Sequence, residues 1–178
     1  MIYALMADGF EEIEALAVVD ILRRAEIEIC MVSITENNVV KGAHGIKVVT
    51  DCTIKNITKD YDMLFLPGGY PGYVNLANSQ DTIELLHSAK SNNKFISAIC
   101  AAPSVLGREG LLDSHRACCF PSFEKELTGA EVVFDDVVIS DKIITSRGAG
   151  TAHKLAFAIV ELLKGKEFAD QLSDTMLY

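Results

Sequence analysis

The sequence has no apolar stretch of the roughly 18 residues needed to span a membrane, and no basic leader precedes its first apolar run, residues 1–6. These two absences predict a soluble protein that stays in the cytoplasm, where it is made. Basic residues are also scarce, because 16 Lys and Arg stand against 25 Asp and Glu and give a formal net charge of −9. Phosphate contacts need clustered Lys and Arg, so nucleic acid is excluded as an expected partner. Small molecules or proteins are the expected partners.

The cysteines show no pairing pattern, since they are odd in number and include no C-x-x-C pair. Neither a disulfide framework nor a four-thiolate zinc site is therefore expected, and a reducing cytoplasm fits. His87 and His153 have no Cys or carboxylate at ligand spacing, so no metal site is expected there either. The five cysteines are Cys30, Cys52, Cys100, Cys118 and Cys119.

Short β-branched segments alternate with helical patterns along the chain, which predicts an α/β fold with a parallel sheet covered on both faces. The predicted strands are residues 2–6, 28–33, 63–66 and 95–99, and the predicted helices are residues 11–24, 80–90 and 151–164, the last capped by Gly165. Residues 39–41 and 46–50 predict a hairpin, and residues 132–134, 137–140 and 142–145 predict antiparallel additions. No repeat or linker divides the chain, and the tail 167–178 is too short for a domain, so residues 1–178 are one domain.

Cys100 stands where a buried strand turns abruptly into a helix, between residues 94–99 and Ala101-Ala102-Pro103. This is the pattern of a nucleophile elbow, in which small residues such as Ala98 and Ala102 let strand and helix approach closely. A helix N-terminus favours thiolate over thiol. The alternative is a cysteine that fills the core, and the spacing alone leaves both interpretations open.

Residues 65–72 end another buried strand in the pair Gly68-Gly69, and ligand sites in doubly wound sheets form beyond such strand ends. The two glycines permit a loop whose amides face a ligand, as an oxyanion site requires. Taken alone, this motif is better explained as an ordinary strand-to-helix turn.

Glu14 lies on a helix that is apolar around most of its circumference, whereas Glu11 and Glu12 are sufficiently explained by the helix dipole. A buried carboxyl has a raised pKa, and a protonated Glu14 is able to donate a hydrogen bond to a thiolate or to an oxidised sulfur.

Four motifs in order, A-D-G-F-E-E-I-E-A (7–15), L-P-G-G (66–69), A-I-C-A-A-P (98–103) and T-S-R-G-A-G-T (145–151), resemble the DJ-one branch of the ThiJ/PfpI superfamily. The resemblance covers nearly the whole chain. It implies a flavodoxin-like, doubly wound and mostly parallel sheet with helices on both faces, like that of class I glutamine amidotransferases. It also implies a homodimer and no cofactor. Cys100 would be the elbow cysteine, Glu14 the glutamate that contacts its sulfur, and the Gly69 and Ala101 amides the oxyanion-site donors.

The sequence departs from that family at Phe120, where several members carry a histidine just before the proline. A Cys-His-Asp triad is therefore not expected. His115 and His44 are better explained as surface histidines than as catalytic ones. Arg23, Arg24 and Arg147 are possible pocket or subunit-boundary residues, although helix C-terminal charge is the simpler account of the first two. Cys118 and Cys119 are possible redox partners, but in an alternating strand they point to opposite faces.

Two functions use the same atoms. The first is a cofactor-free thiol enzyme for small reactive carbonyls, of the glyoxalase III or protein deglycase kind, acting on a free carbonyl or a glycated protein. The second is a non-catalytic oxidative-stress sensor or redox-regulated chaperone, in which Cys100 is oxidised to a sulfinate that protonated Glu14 stabilises. Intracellular peptidase and thiamine-biosynthesis roles, also attached to the family, rank lower.

Overall fold

A seven-stranded sheet forms the centre of the computed structural model, which describes residues 1–58 and 60–178. The strands, in chain order, are β1 (Ile2–Met6), β2 (Ile29–Ser33), β3 (Val39–Lys41), β4 (Lys47–Val49), β5 (Cys52–Thr53), β6 (Met63–Leu66), β7 (Phe95–Ile99), β8 (Arg116–Ala117), β9 (Glu131–Val132), β10 (Val137–Ser140) and β11 (Ile143–Ser146). The strand order across the sheet is β10-β11-β7-β6-β1-β2-β5. Every neighbouring pair is parallel except β10 and β11, so the predicted mostly parallel α/β sheet is confirmed.

Helices cover both faces of this sheet. They are α1 (Glu12–Arg24), α2 (Gly72–Asn78), α3 (Gln80–Ser91), α4 (Pro103–Arg108), α5 (Ala152–Lys164) and α6 (Lys166–Thr175). Alternate side chains of β1 enter two separate apolar layers, with Ala4 and Met6 facing α1 and α5, and Tyr3 and Leu5 facing α2, α3 and α4. Because each fully buried Leu or Ile contributes about 1.5–3 kcal/mol, the two layers hold the strand ends in fixed positions.

The strands and helices differ from the sequence-based predictions at the periphery. The prediction of an antiparallel strand at residues 132–134 is wrong. β9 is shorter and pairs in parallel with β8 in a separate two-stranded sheet. The tail forms α6, which the sequence analysis left without structure and which buries Ala169 against the first apolar layer. The hairpin is confirmed as β3 and β4. α5 ends at Lys164 and is capped by Gly165, as predicted.

None of the helices in residues 1–58 and 60–178 combines the length and the apolar character that crossing a membrane requires.

Candidate active site

The carboxyl ends of three adjacent parallel strands, β1, β6 and β7, bring three loops to one edge of the sheet. The loop after β6 is fastened to the loop after β1, since Glu11 donates its backbone N–H to the carbonyl of Gly68 at 3.0 Å. The third loop begins at Cys100, directly after β7. The two motifs that were separate in the sequence therefore meet at one place, as expected for a doubly wound sheet.

Cys100 occupies a sharp turn with positive φ, 66°, a conformation that non-glycine residues rarely adopt. The turn is fixed on both sides, because the Cys100 N–H donates to the carbonyl of Ser146 at 2.9 Å and its own carbonyl accepts from the Phe120 N–H at 2.8 Å. Ala98 and Ala102 are fully buried beside it. Strain held by surrounding hydrogen bonds is typical of functional positions, and here it presents a partly exposed thiol at the sheet edge.

Gly68 allows the loop after β6 to lie directly against this thiol. A Cβ atom at Gly68 would come within 2.7 Å of both the Cys100 Cβ and a Glu14 carboxylate oxygen, so no other residue fits without displacing them. The next residue, Gly69, has φ of 92°, which turns its N–H toward the sulfur. The backbone N–H of Ala101 faces the sulfur as well.

Glu14 is the buried acidic partner of the thiol. Its side chain is only 1% exposed, and its Oε2 accepts the Gly68 N–H at 2.9 Å, while the carboxyl is also hydrogen-bonded to Cys100. Glu11 caps α1 by accepting the Glu14 N–H at 2.7 Å, which fixes the first turn of the helix and with it the position of the Glu14 side chain. The Gly68 N–H was the one donor that the sequence analysis did not anticipate, although the second glycine of the pair indicated the loop.

The ionisations of Glu14 and Cys100 are linked, because the carboxyl and the thiol are buried beside each other. Burial raises the pKa of Glu14 to about 7, against the hydrogen bonds from Cys100 and Gly68. Burial and the Glu14 carboxylate also raise the pKa of the Cys100 thiol, against the Ala101 and Gly69 amides that lower it. The helix N-terminus was expected to lower the pKa of Cys100, but α4 starts only at Pro103. The Glu14 carboxylate lies nearer to the sulfur, and its opposite effect on that pKa is the larger one.

Moving the thiol proton from sulfur to Glu14 leaves the net charge of the pair unchanged. A thiolate formed in this way adds no second negative charge to the buried site, and two backbone N–H groups already point at it. The arrangement is thus able to generate a nucleophile by internal proton transfer rather than by losing a proton to water.

The apolar side chain of Phe120 occupies the position at which several members of the resembled family carry a histidine. The Phe120 side chain is 46% exposed, and its ring would lie 3.3 Å from a Cβ atom at Gly148, which in turn would be 3.9 Å from a Glu14 oxygen. Phe120 therefore borders the site next to Glu14, and its ring offers no proton acceptor.

Several other sequence candidates lie outside this site. Arg23 and Arg24 form ion pairs with Asp51 and Asp20, and the Nδ1 of His115 lies 3.1 Å from the carbonyl of Ser140. Arg147 is placed over the ring of Phe134, with its guanidinium carbon 5.9 Å from the centroid.

The expectation that Cys118 and Cys119 lie in an alternating strand is wrong, because β8 ends at Ala117. Both thiols are buried, and Thr145 donates its hydroxyl to the Cys118 sulfur at 3.6 Å.

One group of side chains in the described part of the chain brings metal-binding atoms together, at Glu11, Glu12 and His44. Its carboxylates already have structural partners. Glu12 accepts the His44 N–H at 2.8 Å and approaches His44 Nδ1 at 2.9 Å, while Glu11 caps α1. These contacts explain the cluster without an ion.

Comparison with known proteins matches this geometry to one family. The model of the DJ-1/PfpI family matches residues 1–162. DJ-1 homologs A and B of Arabidopsis thaliana are 36% and 35% identical over 97% of this chain, which spans only 45% and 40% of their lengths. A Caenorhabditis elegans protein named glutathione-independent glyoxalase DJR-1.2 is 37% identical over 91% of this chain and 87% of its own length.

A solved structure of oxidised Toxoplasma gondii DJ-1 has the same architecture. It superposes with a TM-score of 0.95 at 33% identity, covering 99% of this chain and 97% of that one. With the family model spanning nine-tenths of the sequence and the fold matched from end to end, the chain belongs to the DJ-1/PfpI family.

Proposed function

We propose that the protein is a cofactor-free, cysteine-dependent enzyme that converts small reactive carbonyls, of the glyoxalase III or protein deglycase kind. The observation that carries the proposal is the buried Glu14 carboxyl, hydrogen-bonded to the Cys100 sulfur on which the Gly69 and Ala101 amides converge. The glyoxalase name of the Caenorhabditis elegans relative supports the same chemistry. Glycated proteins, which present the adduct of such a carbonyl, are the second substrate class of this proposal.

The proposed reaction uses methylglyoxal as the simplest substrate. The Cys100 sulfur bonds to the aldehyde carbon as the thiol proton passes to the new oxygen through Glu14, which gives a hemithioacetal held by the two amides. Glu14 then removes the proton from that carbon, and a proton returns to the neighbouring carbon, which leaves a thioester of lactate. Water cleaves the thioester and regenerates the thiol, so the sum is methylglyoxal plus water to lactate.

The decisive experiment measures lactate formation from methylglyoxal in the absence of glutathione. The native protein should turn over, and Cys100→Ser should not. His115→Ala is the matched control, because His115 lies at Ser140 and away from the sulfur, and it should keep native activity. Equal lactate formation by native protein and Cys100→Ser would refute the proposed enzyme.

Glu14→Gln tests the proton carrier separately. Gln keeps the shape and a hydrogen-bond donor but cannot exchange a proton, and general acid–base groups contribute about 10²–10⁴ in rate. We expect a loss of kcat in this range with the fold intact. Full activity in Glu14→Gln together with lost activity in His115→Ala would show that the proton carrier is the histidine.

Hydrolysis of casein should be negligible in the native protein. A thiol protease needs a positioned base and an acid for the leaving amine, and Phe120 occupies the place where a histidine would stand. Casein cleavage that Cys100→Ser abolishes would contradict this expectation.

A redox sensor is the second candidate, favoured by the same contacts. A sulfinate at Cys100 would accept hydrogen bonds from the Gly69 and Ala101 amides and from protonated Glu14. The Toxoplasma gondii relative was solved in an oxidised form. Stoichiometric oxidation of Cys100 by peroxide without any carbonyl turnover would favour this function over the enzyme.

The proposal includes a reducing compartment such as the cytoplasm and a homodimer. Thiol catalysis needs reduced Cys100, and a sulfinate would block it. Association with a second copy is supported by three exposed apolar side chains on α1 and the β3–β4 hairpin: Ile13, Ile46 and Val49 are 53%, 53% and 69% exposed. Side chains of this kind are typical of an interface when they are grouped on one surface.

A further inference from the structure

Two thiols outside the candidate active site lie side by side at the edge of the sheet. The Sγ atoms of Cys30 on β2 and Cys52 on β5 are 3.4 Å apart, and both residues are partly exposed. The strand order places three strands, β6, β1 and β2, between β5 and β7, the strand that carries Cys100. The pair is therefore separate from the chemistry described above.

The register of the sheet explains how residues 22 positions apart in the sequence meet. Cys52 pairs directly with Val32, so Cys30 is its diagonal neighbour, two residues back on the same face of β2. No C-x-x-C motif marks this pair, because the two cysteines are brought together only by the parallel pairing of β2 with β5.

Hydrogen bonds fasten the chain to β2 immediately before Cys52. The Asp51 carboxylate accepts the Met31 N–H at 2.7 Å and the Arg23 guanidinium at 2.6 Å, and the Asp51 N–H donates to the Met31 carbonyl at 2.9 Å. These contacts hold Cys52 beside Cys30 in the reduced protein.

We propose that Cys30 and Cys52 form a reversible intramolecular disulfide when the protein meets a hydroperoxide. The partial burial of both sulfurs admits a small oxidant such as hydrogen peroxide. The thiol of Cys52 is first oxidised to a sulfenic acid, with release of one water. The thiol of Cys30 then attacks that sulfur, and the S–S bond forms as the hydroxyl leaves with the Cys30 proton as a second water.

Burial and the neighbouring Cys52 raise the pKa of the Cys30 thiol to about 12, so Cys30 is protonated at neutral pH. A protonated thiol is a poor nucleophile toward peroxide, which favours Cys52 for the first step. In the second step Cys30 loses its proton to the departing hydroxyl as its sulfur attacks.

Forming the bond must move the edge strand. The sulfur atoms have to close from 3.4 Å to about 2.05 Å, and diagonal neighbours have Cα atoms about 7–8 Å apart against a usual disulfide range of about 4.4–6.8 Å. β5 is able to move because it is two residues long and pairs with β2 alone. A bond that draws an edge strand inward is reduced more easily than an unstrained one, so the disulfide should be reversible.

Tryptic peptide mapping tests the proposal directly, because the cysteines fall on separate peptides. Cys30 lies on residues 25–41, Cys52 on 48–55, Cys100 on 95–108, and Cys118 with Cys119 on 117–125. Cys100→Ser, reduced and desalted, is treated with equimolar hydrogen peroxide and then alkylated. Peptides 25–41 and 48–55 should appear as one linked species, two hydrogen masses lighter than their sum, and should separate again with dithiothreitol.

Two variants and the native protein complete the test. Cys52→Ser should abolish the linked species. Asp51→Ala removes the carboxylate that binds the Met31 N–H and Arg23, and it should slow formation of the link by about fivefold or more, since the loss of one hydrogen bond of ordinary strength corresponds to about fivefold. Native protein mapped in the same way should show the same link, whatever happens at Cys100. Separate peptides 25–41 and 48–55 that only gain oxygen, or a link that joins two protein molecules, would overturn the proposal.

Discussion

Glu12 and Glu14 lie two residues apart on the first turn of α1, yet their surroundings shift their pKa values in opposite directions. Glu14 faces the buried thiol, and burial raises its pKa to about 7. Burial acts to raise the pKa of Glu12 too, but the hydrogen bonds from His44 outweigh it and hold that pKa below the usual range. The sequence analysis predicted the burial of Glu14, although its neighbour Ile13 is exposed. It did not predict the burial of Glu12, whose partner is 32 residues away and left no local signal.

The raised pKa of Glu14 predicts that folding stability falls as pH rises. The folded state binds the Glu14 proton more tightly than the unfolded state, so the stabilisation is fully present below the ordinary value of 4.5 and is lost as pH passes through about 7. The difference corresponds to about 3 kcal/mol. Urea unfolding at pH 4.5 to 8 should show the free energy of unfolding of native protein falling relative to that of Glu14→Gln.

The pH-dependent difference should be absent when native protein is compared with Glu126→Gln, because Glu126 is on the surface. Parallel pH curves for native protein and Glu14→Gln would show that Glu14 is ionised throughout the range.

Cys100 should be the first cysteine alkylated by iodoacetamide at neutral pH. Among the described cysteines, it combines two backbone N–H groups facing the sulfur with a carboxyl able to take up the thiol proton. Glu14→Leu removes that proton acceptor and also the carboxylate that raises the pKa of the thiol. Internal proton transfer predicts slower labelling in this variant, whereas faster labelling would show that the carboxylate mainly suppresses the thiolate. Peptide mapping after brief treatment gives the order, and faster labelling of Cys52 than of Cys100 would contradict the internal proton transfer.

At the scale of the elements, the alternation of apolar residues predicted the central strands well and the periphery less well. β6 and β7 have their predicted bounds because each is a continuous apolar run that ends at a turn residue. The two-residue strand β9 was predicted with the wrong bounds and the wrong direction of pairing, and the short helix α2 was missed, because segments this short carry too few residues for a period to show. α6 was missed as well, since only one of its residues, Ala169, is buried.

The Glu12 side chain holds the tip of the β3–β4 hairpin against α1, in addition to backbone hydrogen bonds that join the hairpin to Gly9 and Phe10. The Glu12 carboxylate accepts the backbone N–H groups of His44 and Ile46, at 2.8 and 3.4 Å, and contacts the His44 ring. Glu12→Ala removes these hydrogen bonds, and because His44 and Ile46 are exposed to water the cost should be about 1 kcal/mol. Hydrogen exchange of residues 39–49 should accelerate in this variant, while exchange in β7 stays as in the native protein.

The hairpin contact should also depend on pH. The contact lowers the pKa of Glu12 and raises that of His44, so its stabilisation is lost as pH falls through the Glu12 pKa and also as pH rises through the His44 pKa. The protection factor of the hairpin amides, which corrects for the pH dependence of chemical exchange, should therefore be largest between the two titrations. An exchange rate that does not change with Glu12→Ala at any pH would show that other contacts hold the hairpin.

At the scale of the whole molecule, the proposed homodimer predicts that a charge placed among its exposed apolar side chains weakens the association. Val49→Asp places a charge on the exposed apolar side of the hairpin and should shift the protein from dimer to monomer. Sedimentation velocity measures this, with Leu177→Asp as the control because Leu177 is 95% exposed at the other end of the chain. A native protein that sediments as a monomer would contradict the proposal.

The resemblance of motifs identified the fold and grouped Cys100, Glu14, Gly69 and Ala101, and the structure brings all four together. It could not reveal that the Glu14 carboxylate raises the pKa of the Cys100 thiol by more than the helix N-terminus lowers it. That balance depends on a contact between α1 and the turn after β7, and on the depth at which both are buried.

Three of the polar groups that surround the sulfur and its carboxyl partner are backbone N–H groups, those of Gly68, Gly69 and Ala101. Among the standard substitutions only proline deletes a main-chain N–H, so a complete substitution library would report few essential side chains here. Phe120 differs from these donors, because it borders the site with a side chain that any substitution replaces. Under the proposed function, a change at such a position would alter which substrate is accepted while the backbone donors and the nucleophile stay in place.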